Sequence, residues 1–390
     1  MTTTSFAVIS TAEIAKAKVI PALLSVPTAT LVGVSSRDKK RAQAFVDEHC
    51  SKEEEDNADD DDGGTTKKHS PCTTVRSDFI SKAFQNNKHV YSEKPHGGTV
   101  RELKSLLDLA AERNLQWMDG TMWYHSNRTK VMEEKLFFHG DGDCCSSMIM
   151  GKVKRVSASF TWGGGGLVDQ NWIEGGNGRT DPNRELMGML GDSGHYPISA
   201  VAWAFGWKLP TRVRATYTKF NSLGAIIECE AVMLFEDGGR AVIDTSCLIS
   251  HRSQFEVVCD KGVLRVDDLV GGQGRSGKFS AYEGPFVGSS SFVMGDYLGK
   301  DEVVEVEPCD HVQKLVAEFS KSVQTIKQGG KANPKWSKRS LITHTVMCAI
   351  FESAMRDGVD VDLNSDDDCG TTKYVIEGEI FNDIPTRMWG

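Results

Sequence analysis

The sequence lacks most of what would place it in a membrane, on nucleic acid or around a structural metal. No run approaches the roughly 18 to 20 apolar residues that span a bilayer. Met1-Thr-Thr-Thr-Ser-Phe6 has neither a basic region nor a long apolar stretch before a cleavage site, so it reads as no targeting segment. Positive charge is in deficit: 45 Lys and Arg stand against 54 Asp and Glu, a net charge of -9. That balance argues against nucleic acid as the main partner, because phosphate binding needs a basic face. The cysteines, at positions 50, 72, 144, 145, 229, 247, 259, 309, 348 and 369, include no CxxC pair to hold zinc. His125 and His195 have no partners at metal-ligand spacing, so no metal site is expected. The thiols read as reduced, in a cytoplasmic protein.

What is present is a 390-residue chain of ordinary globular composition, 39% hydrophobic and 25% charged, long enough for two cores. The first third alternates strand and helix. Phe6-Ala-Val-Ile9 precedes a helical stretch from Glu13 to Leu24, and Thr30-Leu-Val-Gly-Val34 precedes one from Asp38 to Glu48. A helix from Ser77 to Asn86, a strand His89-Val-Tyr91, a capping box at Thr99 with Glu102, and a strand Leu115-Gln-Trp-Met118 follow. This alternation indicates βαβ units and a parallel sheet. The second half alternates differently. Val156, Ala158, Phe160 and Trp162 form one period-two series, and Val213, Ala215 and Tyr217 another, as in strands with one wet face. Glu236-Asp-Gly-Gly239 and Asp260-Lys-Gly262 are hairpin signals. The expected class is α/β: an N-terminal Rossmann-like parallel-sheet domain over 1–122, then an α+β domain with a large, mostly antiparallel sheet over 123–363. An acidic, disordered insertion is expected over 52–70, and a tail over 364–390.

In a parallel α/β sheet the turn after the first strand approaches a dinucleotide pyrophosphate at a helix N-terminus, which requires small residues. Ser10, Ala12 and Ala15 occupy those positions, and Ser10, Thr11, Ala12, Glu13 and Ile14 are the candidate contacts. At the end of the second strand an NAD site needs an acid for the ribose hydroxyls. Here Val34-Ser-Ser-Arg37 offers Ser36 and Arg37, which suit the 2'-phosphate of NADP through hydroxyl and guanidinium donors.

Lys88-His-Val-Tyr-Ser-Glu-Lys-Pro95 resembles the Lys-His-Val-x-x-Glu-Lys-Pro signature of the glucose-fructose oxidoreductase/inositol dehydrogenase (Gfo/Idh/MocA) family. Met118-Asp-Gly-Thr-Met-Trp-Tyr-His-Ser-Asn-Arg-Thr129 and Gly188-Met-Leu-Gly-Asp-Ser-Gly-His-Tyr196 resemble two further blocks of that family, nearest its NADP-dependent D-xylose and trans-dihydrodiol dehydrogenases. The resemblance implies hydride transfer between NADP, preferred over NAD, and an aldose or cyclic diol. It makes Lys94 the group that polarises the substrate oxygen. Tyr196 becomes the acid/base, with its phenol pKa lowered by the lysine, and Asp192 holds the site geometry or contacts substrate. Thr73, Glu93, Lys94 and Trp123 are then cofactor contacts. Trp123, Arg128, Phe160, Trp162 and Arg179 are candidates for the substrate pocket. A homodimer through the second domain's open sheet face also follows by analogy.

One departure stands out. The family's third strand, its helix and a fourth strand are replaced by the acidic block, followed directly by Pro71-Cys-Thr-Thr74, with Arg76 where relatives often carry His. An interior parallel strand buries both faces, so its loss is costly. The sheet has a gap, or another segment fills it, or the chain is a defective gene model or splice form. The alternative function is therefore a catalytically impaired nucleotide-binding or sensor protein. Fluorescence titration is expected to show tighter binding of NADPH than of NADH, a preference abolished by Arg37→Glu; equal affinity for both cofactors in the unmodified chain would end the NADP assignment.

Overall fold

The computed structural model describes residues 3–36, 38–49, 73–137, 150–163, 169–270, 291–296 and 301–363. The acidic insertion, Arg37 and the tail therefore lie outside the described residues.

β1 (Thr4–Val8) pairs in parallel with β2 (Ala29–Val34), bringing Phe6 opposite Leu31 and Val8 opposite Val34. The helix between them opens as a wide turn, Ala15–Val19, before tightening into α1 (Ile20–Ser25), whose Pro21 sits in the first turn where no amide partner is needed. α2 (Lys39–His49) and α3 (Thr73–Gln85) lead to β3 (Val90–Ser92). α4 (Val100–Glu112) follows. Its cap is as expected: the Thr99 hydroxyl accepts from the Glu102 amide at 3.0 Å, and Val100, Leu103, Leu106, Leu107 and Ala110 form the buried stripe. β4 (Trp117–Asp119) pairs in parallel with β3. Among the described residues the parallel sheet is thus two two-stranded pieces, with no strand joining β1 to β3.

After a 3-10 turn at Met122–His125 and α5 (Asn127–Leu136), the second half forms one sheet of nine strands. β5 (Val153–Thr161) lies at its centre, parallel to β8 (Arg240–Ser246) and antiparallel to β9 (Phe255–Cys259). β10 (Gly262–Val266), β11 (Ser291–Asp296) and β12 (Asp301–Glu305) extend one side; β7 (Ile226–Leu234), β6 (Arg212–Phe220) and β13 (Val361–Asp362) extend the other. Every pairing but β5–β8 is antiparallel. The hairpins expected at Glu236–Gly239 and Asp260–Gly262 join β7 to β8 and β9 to β10. One sheet face is covered by α6 (Gly188–Asp192) and α7 (His195–Ala204), the latter buried along its whole length.

Two late helices bind the halves together. α8 (His311–Lys327) returns to the first unit, where Phe319 lies 5.7 Å from the Phe6 ring and Thr4 donates to Ser320 O. α9 (Pro334–Met355) is buried for most of its length. Its Ser340 hydroxyl accepts from Trp117 Nε1 at 3.0 Å and donates to Asp119, while Ser353 near its far end accepts from the Ala215 amide on β6. Helices late in the chain therefore complete the core of the early sheet.

Gly188 fixes how closely α6 approaches β7. Its φ is +57°, and a Cβ there would meet the backbone of Ile226, with the nitrogen at 2.8 Å. Gly188→Ala is expected to lose about 2 to 4 kcal/mol of stability and to lower catalytic rate by displacing Asp192. Thermal melts and kinetics check this; an unchanged melting temperature would contradict it.

Candidate active site

Three backbone elements meet at the carboxyl end of β3. Tyr91, inside the strand, donates its hydroxyl to Glu93 Oε1 at 2.8 Å. The Glu93 carboxyl lies against Gly120 at the end of β4, where a Cβ would sit 2.7 Å from Oε2. Burial raises the Glu93 pKa, against the opposing pull of Tyr91, Lys94 and Arg76. Arg76, reaching over from α3, donates to the carbonyls of Glu93, at 2.7 Å, and of Pro95. These carbonyls flank Lys94, so Arg76 holds the backbone on both sides of it. Sequence reasoning gave Arg76 no role; its only signal was a cation at a position where relatives often have His.

Lys94 reaches across to α6. Its Nζ donates to Asp192 Oδ1 at 3.0 Å and to Asp192 O at 2.6 Å. The other carboxylate oxygen, Oδ2, accepts from Arg179 Nε at 2.7 Å. Asp192 thus sits between two cations. Burial alone would raise its pKa, but Arg179 and Lys94 outweigh burial and hold it well below the usual carboxylate range. Burial likewise works to lower the Lys94 pKa, and Asp192 with Tyr196 reverses it, leaving the ammonium above its ordinary value. Nζ also lies 4.6 Å from the centre of the Tyr196 ring, within cation–π range. The phenol behaves differently from the expectation. Lys94 does pull its pKa down, but burial is the larger effect and the net direction is upward. The site therefore presents a permanent cation beside a phenol that stays protonated through neutral pH.

Phe160, Trp162 and Arg179 gather around this group. The Phe160 ring is 5.1 Å from that of Tyr196, and the Arg179 guanidinium lies 5.4 Å from the Trp162 ring. Two other candidates are placed elsewhere. Trp123 is fully buried, donates Nε1 to Ser199 Oγ at 3.0 Å and packs between Tyr124 and Trp203. The 3-10 turn directs its ring into the core. Arg128 is also buried, and its Nη2 donates to the carbonyls of Asp268 at 2.6 Å and Leu269 at 2.9 Å. It ties α5 to the chain after β10.

At the nucleotide end, Thr11 and Ala12 are buried, Glu13 is exposed, Ile14 is half-buried, and Ser10 Oγ accepts from the Ala12 amide at 3.0 Å. Lys16 N donates to Ala12 O, so the amides of Glu13, Ile14 and Ala15 precede the first helical bond. Those donors at the carboxyl end of β1 fit a pyrophosphate. Ser36 follows β2, with its Oγ 3.5 Å from the Asp38 amide. Arg37 lies outside the described residues, and Thr73 heads α3 without a described side chain.

Two buried titratable groups to which sequence reasoning gave no catalytic role lie beside Lys94 and Asp192. His195 Nε2 is 2.7 Å from Thr121 Oγ1, and burial pushes its pKa down to about 4, so the imidazole is neutral. The Glu185 carboxyl rests against Gly191, where a Cβ would stand 2.5 Å from Oε1. Burial first, then the charge on Asp192, raises its pKa to about 8. Because the folded value lies above the ordinary one near 4.3, this group's contribution to stability is complete at low pH. It is lost as pH climbs through 8. Glu185→Gln, neutral at every pH, is expected to gain on the order of 2 to 4 kcal/mol over the unmodified chain between pH 5 and 8. Melting curves across that range check this, and a gap that stays constant with pH would refute it.

Known proteins share this architecture. Residues 4–121 match the oxidoreductase family with an NAD-binding Rossmann fold, GFO/IDH/MocA, and residues 145–265 match the GFO/IDH/MocA C-terminal domain. The dTDP-3,4-didehydro-2,6-dideoxy-alpha-D-glucose 3-reductase of Actinomadura kijaniata is 23% identical over 356 residues, 89% of this chain and 94% of that protein. The same-named reductase of Streptomyces antibioticus is 26% identical over 265 residues, 67% of this chain and 75% of that one. Among solved structures, the 3-ketoreductase KijD10 of Actinomadura kijaniata, in complex with NADP and TDP-benzene, superposes with a TM-score of 0.66 at 18% identity. It covers 90% of this chain and 98% of its own. The aldose-aldose oxidoreductase of Caulobacter crescentus gives 0.68 at 15% identity, over 93% of this chain and 100% of its own. These relatives are reductases and oxidoreductases of sugars, and they do not support the narrower xylose or dihydrodiol assignment. With both of its halves matched, the chain belongs to the GFO/IDH/MocA family of oxidoreductases.

Proposed function

We propose that this protein is an NADP-dependent reductase or dehydrogenase that interconverts a carbonyl and a carbinol carbon on a sugar, either free, such as an aldose, or nucleotide-linked. The observation that carries the reading is the convergence of Lys94 from the first unit with Asp192 and Tyr196 from the second. The bound nicotinamide supplies or accepts the hydride. Ser10 to Ile14, Ser36, Arg37, Thr73 and Glu93 would hold the cofactor.

Reduction of a carbonyl builds negative charge on its oxygen, and the Lys94 ammonium stabilises it. Tyr196 donates the proton; in the oxidative direction it receives one. Asp192 keeps Lys94 extended toward the substrate instead of letting it fold onto solvent, and Arg179 neutralises the second carboxylate oxygen. Phe160 and the Trp162–Arg179 pair form the wall on which a sugar ring would rest. NADP over NAD is supported by the absence of an acid before Asp38 at the end of β2, and by NADP in the KijD10 complex. A sugar is favoured over a cyclic diol by the activities named for the relatives. Assembly as a homodimer would use the outer face of the nine-stranded sheet, where Tyr217, Leu234 and Val242 are exposed. That no strand among the described residues joins β1 to β3 favours a second reading, a protein that binds nucleotide without turnover.

NADPH fluorescence with a screen of aldoses, keto sugars and dihydrodiols separates the two. Lys94→Ala is expected to keep NADPH bound within about threefold while kcat falls by roughly 10²- to 10⁴-fold. Tyr196→Phe is expected to fall comparably. Near wild-type turnover in Lys94→Ala would discard the mechanism, and NADPH binding with no turnover on any sugar would favour the second reading.

A further inference from the structure

β1 and β3 each have one partner among the described residues, β2 and β4 respectively, so one edge of each strand is left unpaired. A cleft of about 710 Å³ lies between those two edges. Its walls are apolar: Phe6 and Val8 of β1 with Phe319 and Val323 of α8, and Phe79 with Ala83 of α3. Three of the chain's exposed large apolar side chains line it, Val32 at 63%, Ile9 at 47% and Phe79 at 41%. An apolar channel bounded by two parallel strand edges and by helices is the shape left by a missing interior strand. Its recognition chemistry is that of an extended peptide: ladder hydrogen bonds to both edges and apolar side chains on both faces.

We propose that this cleft is a strand-binding site occupied by the chain's own C-terminal segment, Lys373-Tyr-Val-Ile-Glu-Gly-Glu-Ile-Phe381. Of the stretches outside the described residues, 50–72 has no apolar run, and 271–290 is broken by glycines and Pro285. Tyr374-Val-Ile376 and Ile380-Phe381 have the β-branched and aromatic composition of a strand. In an extended chain Tyr374, Ile376, Gly378 and Ile380 share one face, free of charge. Glu377 and Glu379 share the other, and the cleft offers them exposed Lys88 and Lys327 against a single acid, Glu93. The tether is long enough. The described chain ends at Leu363, whose amide donates to Thr211 O. His344, 3.1 Å from Gly98 O just past the Lys94 turn, precedes the end of α9 by about 16 Å of helix. Residues 364–373 add roughly 35 Å when extended.

Hydrogen exchange read by mass spectrometry tests this on the full chain and on a chain ending at Asn364. The amides of Thr4–Val8 and Val90–Ser92 are expected to exchange on the order of tenfold or more faster after truncation. A synthetic peptide of residues 373–381 should restore their protection, and the same peptide with Ile376→Lys and Ile380→Lys should not. Should the truncated chain fail to fold, the full chain carrying those two lysines should show the same loss while β7–β8 amides stay protected. Equal exchange in full and truncated chains, or equal rescue by both peptides, overturns the proposal. Protection that rises with protein concentration assigns the cleft to another copy's tail and overturns occupancy by the chain's own.

Discussion

The Lys94–Asp192 contact is the constraint on which the site depends. One partner stands on a turn after β3 and the other at the end of α6, 98 residues later, and a buried ammonium and carboxylate persist only if paired. Every feature around them serves that pairing. Arg76 holds the carbonyls on either side of Lys94, Arg179 occupies the second oxygen of Asp192, and Gly188 lets α6 lie close on β7. Removing either charge would leave the other buried without compensation.

Burial and charge act in opposite directions here, and their balance sets the chemistry. For Asp192 two cations overcome burial, so the carboxylate remains ionised. For Tyr196 one cation over the ring does not, so the phenol keeps its proton. Glu185 and His195, with burial dominant, are held mainly as neutral groups at neutral pH. A fixed positive charge beside a retained proton matches what an oxygen gaining charge requires.

Among the described residues the parallel sheet of this scaffold is two separate strand pairs. α8 lies across β1 and β2, and α9 runs from β4 to β6, so helices outside the sheet hold both strand pairs. That explains how Lys94 keeps its position although no described strand joins β1 to β3.

Local patterns settled much of this in advance. Strand alternation, the Thr99 cap and the hairpin turns depend on near neighbours, and each appears within a few residues of where the sequence indicates. The Lys94, Asp192 and Tyr196 motifs were legible through their resemblance to blocks of a known family, which implied the roles of the three residues. Tertiary structure decided the rest. The inward rotation of Trp123, the use of Arg128 as a tie to Asp268 and Leu269, and the clamp by Arg76 depend on groups tens or hundreds of residues distant. The direction of the Tyr196 shift belongs with them: sequence reveals that a lysine is near, but only packing reveals how much water has been removed, and desolvation is the larger effect.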